Sequence, residues 1–271
     1  MCLILLAWRA HPGFPLIFAG NRDEAYDRPS APADFWKDGP EIYGGRDLEQ
    51  GGTWLGLRRN GRFAAVTNYR DGPARKPAPR SRGHLTSTFL RGNEEPGAYL
   101  ATIAADANLY GGFTLLAGNG ERLLAFSNRG GGIEELPSGV HGLSNHLLNT
   151  PWPKIVKGKR RVAALRDAGE ERLVQGLFAA LADRTAAADA ELPDTGVGAA
   201  RERELSPAFI AGERYGTRAS TVVLVDASGC VRFIERRFGA LGAAQGETDR
   251  RFPLHSMRAS GRVINAAGQD V

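Results

Sequence analysis

The second residue of the chain is a cysteine, and its position opens a chemistry that an internal cysteine lacks. Methionine aminopeptidase removes an initiator methionine when the next side chain is small, as cysteine is. One residue would then carry both a thiol and a free α-amine. Their unperturbed pKa values are about 8.5 and about 7.7–8.0, so the amine can take the thiol proton near neutral pH. Nucleophile and base then share a residue, which suits acyl transfer from a carboxamide. The other cysteine, Cys230, lies between a turn and a strand-like stretch and reads as a half-buried structural thiol. Two cysteines make neither a disulfide framework nor a zinc pattern, and the five histidines show no paired-ligand spacing, so no metal site is expected.

Four further groups are of the right type to serve such a nucleophile. Asn21, Arg22, Asp23 and Glu24 end the second apolar run. There Arg22 would lower the thiol pKa and Asp23 would hold or orient the amine. Asn68 closes the run NGRFAAVTN, and Asn145 closes GLSN. An amide at a strand end can donate to an oxyanion. Arg218 stands at the entrance to the last hairpin. Tyr69 and His146 adjoin the two asparagines and are expected to shape the pocket. Adjacent strand residues point to opposite faces. Arg22 and Asp23 therefore cannot both face Cys2 unless a bulge re-aims one, and Asn21 with Asp23 is the alternative pairing.

These groups need strands to place them. CLILLAW and FPLIFAG, joined through residues 11–13, read as a hairpin of buried strands. TWLGLRR and RFAAVTN flank Asn60-Gly61, a strong hairpin signal. Residues 111–136 read as three strands, and residues 219–238 as a last hairpin. Residues 84–106 and 152–183 read as helical blocks, the first broken near Gly92 to Gly97. The Pro-rich residues 28–40 read as a loop. Residues 184–204 read as a mobile loop. Paired strands interrupted by two helical blocks argue for an α+β fold with helices outside stacked sheets, not for alternating βαβ units. One domain over residues 1–241 is expected, with residues 242–271 a peripheral tail of weak periodicity.

Composition excludes several classes. The chain has 271 residues, 42% hydrophobic and 24% charged, with net charge +5. A chain of this size can bury a core without disulfides or metals. The densest basic run, KIVKGKRR over residues 154–161, reads as the wet face of an amphipathic helix, since no nucleic-acid motif accompanies it. No apolar run approaches a membrane span, and the opening strand lacks the basic flank of a signal peptide. Integral membrane association is not expected, and the cytoplasm is. The Arg- and Ala-rich composition suggests a bacterial source.

Taken together, NRDE, GGTWLG, NGRFAAVTNYR, GLSN and GTRASTV, following an MC start, closely resemble the NRDE family, also called the transport and Golgi organisation protein 2 family. The resemblance runs from Met1 to about Phe238. That family is similar in turn to the choloylglycine hydrolase and penicillin V acylase branch of N-terminal-nucleophile (Ntn) hydrolases. The resemblance implies a four-layer αββα sandwich with two mainly antiparallel sheets. It also implies a catalytic set matching Cys2, Arg22, Asp23, Asn68, Asn145 and Arg218, acting on linear carboxamide bonds with no cofactor. Branch members separate the Arg and Asp by two residues, whereas here they are adjacent. The family is also associated with haem, lipid and acyl-coenzyme A handling. The alternative expectation is thus a small-molecule binding or trafficking protein on a hydrolase fold, with His146 a possible axial ligand for haem. The oligomeric state is not readable.

Overall fold

The computed structural model describes residues 2–72 and 78–255. Thirteen strands in these residues form two antiparallel sheets. The first sheet contains β1 (Cys2–Trp8), β2 (Leu16–Ala25), β10 (Gly139–Leu143), β11 (Tyr215–Val225), β12 (Cys230–Phe238) and β13 (Ala244–Pro253), in the order β10-β1-β2-β11-β12-β13. The second runs β3 (Ser30–Trp36), β4 (Gly39–Asp47), β5 (Leu55–Arg58), β6 (Phe63–Asn68), β7 (Phe113–Gly118), β8 (Leu123–Ser127) and β9 (Glu134–Glu135) in chain order.

The side-chain alternation of β1 builds two apolar layers at once. Ile4, Leu6 and Trp8 enter a core between the sheets with Phe18, Tyr43, Phe63 and Phe233. Edge-on aromatic pairs lock this core, among them Phe18–Phe63 at 5.6 Å and Tyr43–Phe233 at 5.0 Å. Leu3, Leu5 and Ala7 face the other way, onto α3 (Pro153–Ala163) and α4 (Glu170–Leu181). The second sheet is covered by α1 (Arg82–Arg91) and α2 (Pro96–Ala105) through Leu85, Phe89 and Leu100. The layer order is therefore αββα, as expected. Among the described residues no helix is long and apolar enough to cross a membrane.

Three segments differ from the sequence reading. The Pro-rich residues 28–40 form β3 and the start of β4. β3 is an edge strand with an irregular register between Ala31 and Asp34, where Pro32 costs no ladder hydrogen bond. The stretch expected to be a mobile loop contains α5 (Ala199–Leu205), with only Glu202 and Leu205 turned inward, too few to display a period. Residues 244–253, assigned to the tail, are the exposed edge strand β13. Its one buried side chain, Phe252, joins the inter-sheet core. The rest of the expected tail, residues 256–271, lies outside the described residues.

The GGTWLG motif has a packing reason. A Cβ on Gly52 would stand 2.5 Å from the backbone carbonyl carbon of Gly83 in the first turn of α1. The Thr53 N–H donates to the Gly83 carbonyl at 3.2 Å. Gly52 thus lets the start of α1 lie directly on the loop before β5. Gly52→Ala is expected to destabilise the fold by about 1–3 kcal/mol through this clash, read as a lower urea midpoint at unchanged slope. An unchanged midpoint would refute the contact.

Candidate active site

Cys2 begins β1 with its side chain on the same face as Ile4, toward the space between the sheets. It is 7% exposed. Its antiparallel partner across the ladder is Arg22, so the two side chains share that face. Asn21 and Asp23 take the opposite parity, with Ile17 and Ala19, toward the helices. The adjacency of Arg22 and Asp23 is resolved by this division. Arg22 stands beside the thiol on the cleft side. Asp23 lies behind it, presents its backbone N–H to the thiol, and accepts from the Thr217 hydroxyl at 2.7 Å. A bulge does occur, but in β11, between Thr217 and Ala219 at Arg218.

Asn21 is fully buried. Its amide donates to the carbonyls of Leu181 and Ala208, and its oxygen accepts from Ser220. It ties β2 and β11 to the helix layer and is absent from the cleft wall. The alternative pairing of Asn21 with Asp23 as contacting groups is therefore not what the fold builds.

Cys2, Arg22, Asp23, Asn68, Tyr69, Asn145 and Arg218 line one cleft of about 950 Å³. The asparagines arrive from different sheets. Asn145, just past β10, donates its amide to the Asn68 carbonyl at 3.0 Å, and its own carbonyl accepts from the Arg70 N–H. The Ser144 hydroxyl donates to the Cys2 carbonyl at 3.0 Å. The GLSN segment thus fixes the Cys2 backbone and the Asn68 strand end together. Arg218 donates to the carbonyls of Ala25 and Arg28. His146 stands behind the wall. Its Nε2 is 2.6 Å from the Tyr69 hydroxyl and its Nδ1 2.9 Å from Thr150 Oγ1. With both nitrogens engaged, it braces Tyr69.

Burial pushes the Cys2 thiol up, as does the Asp23 charge, while Arg22 and the Asp23 N–H oppose the rise. Burial likewise raises Asp23 against the pull of Lys154, Thr217 and Arg22.

Lys154 is the functional neighbour that sequence reading missed. The basic run was expected to be solvated, yet Lys154 is buried at the start of α3 and donates to the Leu205 carbonyl at 2.8 Å. Burial lowers it to about 8, against the opposing pull of Asp23, Cys2 and Glu202, while Arg70 pushes it the same way as burial. A signal was present: residues 154, 158 and 162 share one helical face, and Gly158 and Val162 are buried there with it. Beside it lies the buried pair Arg70–Glu202, at 3.0 Å, with Arg70 stacked on Trp152 at 4.6 Å.

Residues 1–240 match the Transport and Golgi organisation 2 family. The chain belongs to this family. It is 37% identical over 259 residues to the Transport and Golgi organization protein 2 homolog of Bos taurus, covering 87% of this chain and 92% of the relative. The Homo sapiens homolog is 36% identical over 256 residues, with the same coverage. Drosophila melanogaster Transport and Golgi organization protein 2 is 29% identical over 269 residues, 89% of this chain and 93% of the relative. Among solved structures, a conjugated bile acid hydrolase from Clostridium perfringens aligns over 94% of this chain and 92% of its own, at 8% identity and TM-score 0.48. A Caenorhabditis elegans N-acylethanolamine-hydrolyzing acid amidase ortholog aligns over 82% and 92%, at 9% identity and TM-score 0.43.

In this family member the lysine makes a pH prediction. Its folded pKa lies below the free value of 10.5, so the unfolded chain binds the proton more tightly. Its burial penalty is complete below about pH 8 and disappears as pH rises to 10.5. Lys154→Met is expected to abolish this component, so that the wild-type stability gains on the variant's between those pH values. Parallel stability profiles for the two proteins would show that Lys154 is not buried as a charge.

Proposed function

We propose that this chain is a cysteine Ntn amidohydrolase of linear carboxamide bonds once Met1 is removed. The observation that carries the reading is the convergence of Cys2, Arg22, Asp23, Asn68, Asn145 and Arg218 from four strands and one strand-end loop onto one cleft. The thiol passes its proton to the Cys2 α-amine, and the sulfur attacks the carbonyl carbon. Asn68 and Asn145 supply amide N–H donors to the oxyanion. The ammonium returns the proton to the leaving nitrogen as the C–N bond breaks, leaving a Cys2 thioester. Water then attacks the thioester, its proton passing through the same amine, and releases the acid. Asp23, set behind Cys2, orients the amine, and Arg22 favours the thiolate.

Intact mass of the purified protein is expected to lack one methionine. A panel of N-acyl amides is expected to give turnover, with a transient acyl adduct on Cys2 as a mass shift. Cys2→Ala should keep the fold by circular dichroism and lose turnover by at least about a thousandfold. Full retention of Met1, or turnover surviving in Cys2→Ala, would overturn the reading.

A further inference from the structure

Part of the cleft wall comes from a segment that apolar packing barely holds. Residues 182–214 connect α4 to β11, and within 184–204 the one buried side chain is that of Glu202. Polar contacts close the segment on itself. The Ala187 N–H donates to Ser206 Oγ at 2.9 Å, and Arg203 reaches Asp189 at 2.6 Å. Its tip, residues 195–198, enters the cleft wall through Val197. There it meets the other side of the sandwich: a Cβ on Gly196 would stand 3.3 Å from the Gly72 Cα, in the loop that follows β6. The tip thus bridges the edge where β1 begins at Cys2 and β6 ends at Asn68. Beneath it Cys2 is 7% exposed.

A single carboxylate holds the tip. Glu202 Oε1 accepts from the Thr195 N–H at 3.0 Å and from the Thr195 hydroxyl at 2.5 Å. Its Oε2 lies 3.0 Å from Arg70 on the opposite wall. The base of the segment is firmer, because Leu205 is buried and its carbonyl accepts from Lys154. Between tip and base the backbone can turn. Gly196 and Gly198 flank Val197 at φ 80° and 86°, a region glycine enters without steric cost. A firm base, two glycines and a tip secured through one side chain describe a unit that opens locally far more readily than the apolar layers separate.

We infer that residues 195–198 form a flap over the Cys2 end of the cleft, latched shut by Glu202, and that its release admits molecules to the thiol. Access is separate from turnover, so the flap stands whether or not Cys2 cleaves an amide.

The test is alkylation of the full chain by iodoacetamide over a range of pH, followed at Cys2 and Cys230 separately by peptide mass spectrometry. Cys230 adjoins the row Val231, Val225, Leu16 and Trp8, at the opposite end of β1 from Cys2, and is the internal reference. Thr195→Val loses the hydroxyl bond to Glu202 and keeps the backbone one. In it Cys2 is expected to react at least about tenfold faster, the effect of removing a hydrogen bond to a charged group from the closed state. The pH midpoint and the Cys230 rate should stay as in wild type. Thr195→Ser retains the hydroxyl and should match wild type. Equal Cys2 rates in wild type and Thr195→Val, a Thr195→Ser as fast as Thr195→Val, or an acceleration shared by Cys230 would each show that the tip is a fixed wall and not a flap.

Discussion

The parity of β1 governs the rest of the molecule. The strand is buried on both faces over its seven residues, so alternation leaves no freedom. Ile4, Leu6 and Trp8 must enter the inter-sheet core, and Leu3, Leu5 and Ala7 must meet the helices. A one-residue slip would exchange the two sets against cores of different shape. With the register so fixed, Cys2 is committed to the inter-sheet side, and Arg22 to the same side through direct pairing. Gly158 enforces the fit from outside, since a Cβ there would meet Leu5 at 2.6 Å.

Behind Cys2 the protein keeps charges where apolar residues would be safer for folding. Asp23, Lys154, Arg70 and Glu202 are all buried. Desolvating such groups costs several kcal/mol apiece before mutual attraction repays it. The arrangement is economical in contacts: the Lys154 ammonium holds the Leu205 carbonyl at the end of α5, and Glu202 on the same helix takes Arg70. A short helix with two inward residues is thereby pinned by charged contacts beside the burial of Leu205. That placement links α3, α5 and the Asn68–Arg70 strand end around Cys2.

Family membership and the αββα layers agree with this geometry without fixing the chemistry, because one fold hosts many functions. What the site itself offers is residue types and placement: a thiol at a strand start, amides at the end of β6 and just past β10, and a cationic wall whose arginines are partly neutralised. His146 shows the same logic in reverse. In sequence it was an alternative haem ligand weighed against a plain loop histidine; in the fold its two ring nitrogens are engaged by Tyr69 and Thr150.

Much of this was legible in the sequence. The apolar runs of β1 and β2, the Asn60-Gly61 hairpin, the break between α1 and α2, and the motif order specified the layers, because periodicity and turn chemistry are local. The site motifs were visible because each asparagine or arginine stands at the edge of an apolar run in the sequence, although β2 and β11 carry Arg22 and Arg218 inside the strands. The sequence also stated the Arg22–Asp23 adjacency problem correctly. Only the tertiary structure decided it, by register: Arg22 pairs with Cys2, while Asp23 turns to Thr217 and Asn21 to the helix layer. The same holds for Lys154, whose buried fate depends on which helical face α3 lays on β1. Edge strands β3 and β13 escaped for a related reason: with one face in solvent they carry little apolar pattern, and only pairing with a neighbour makes them strands.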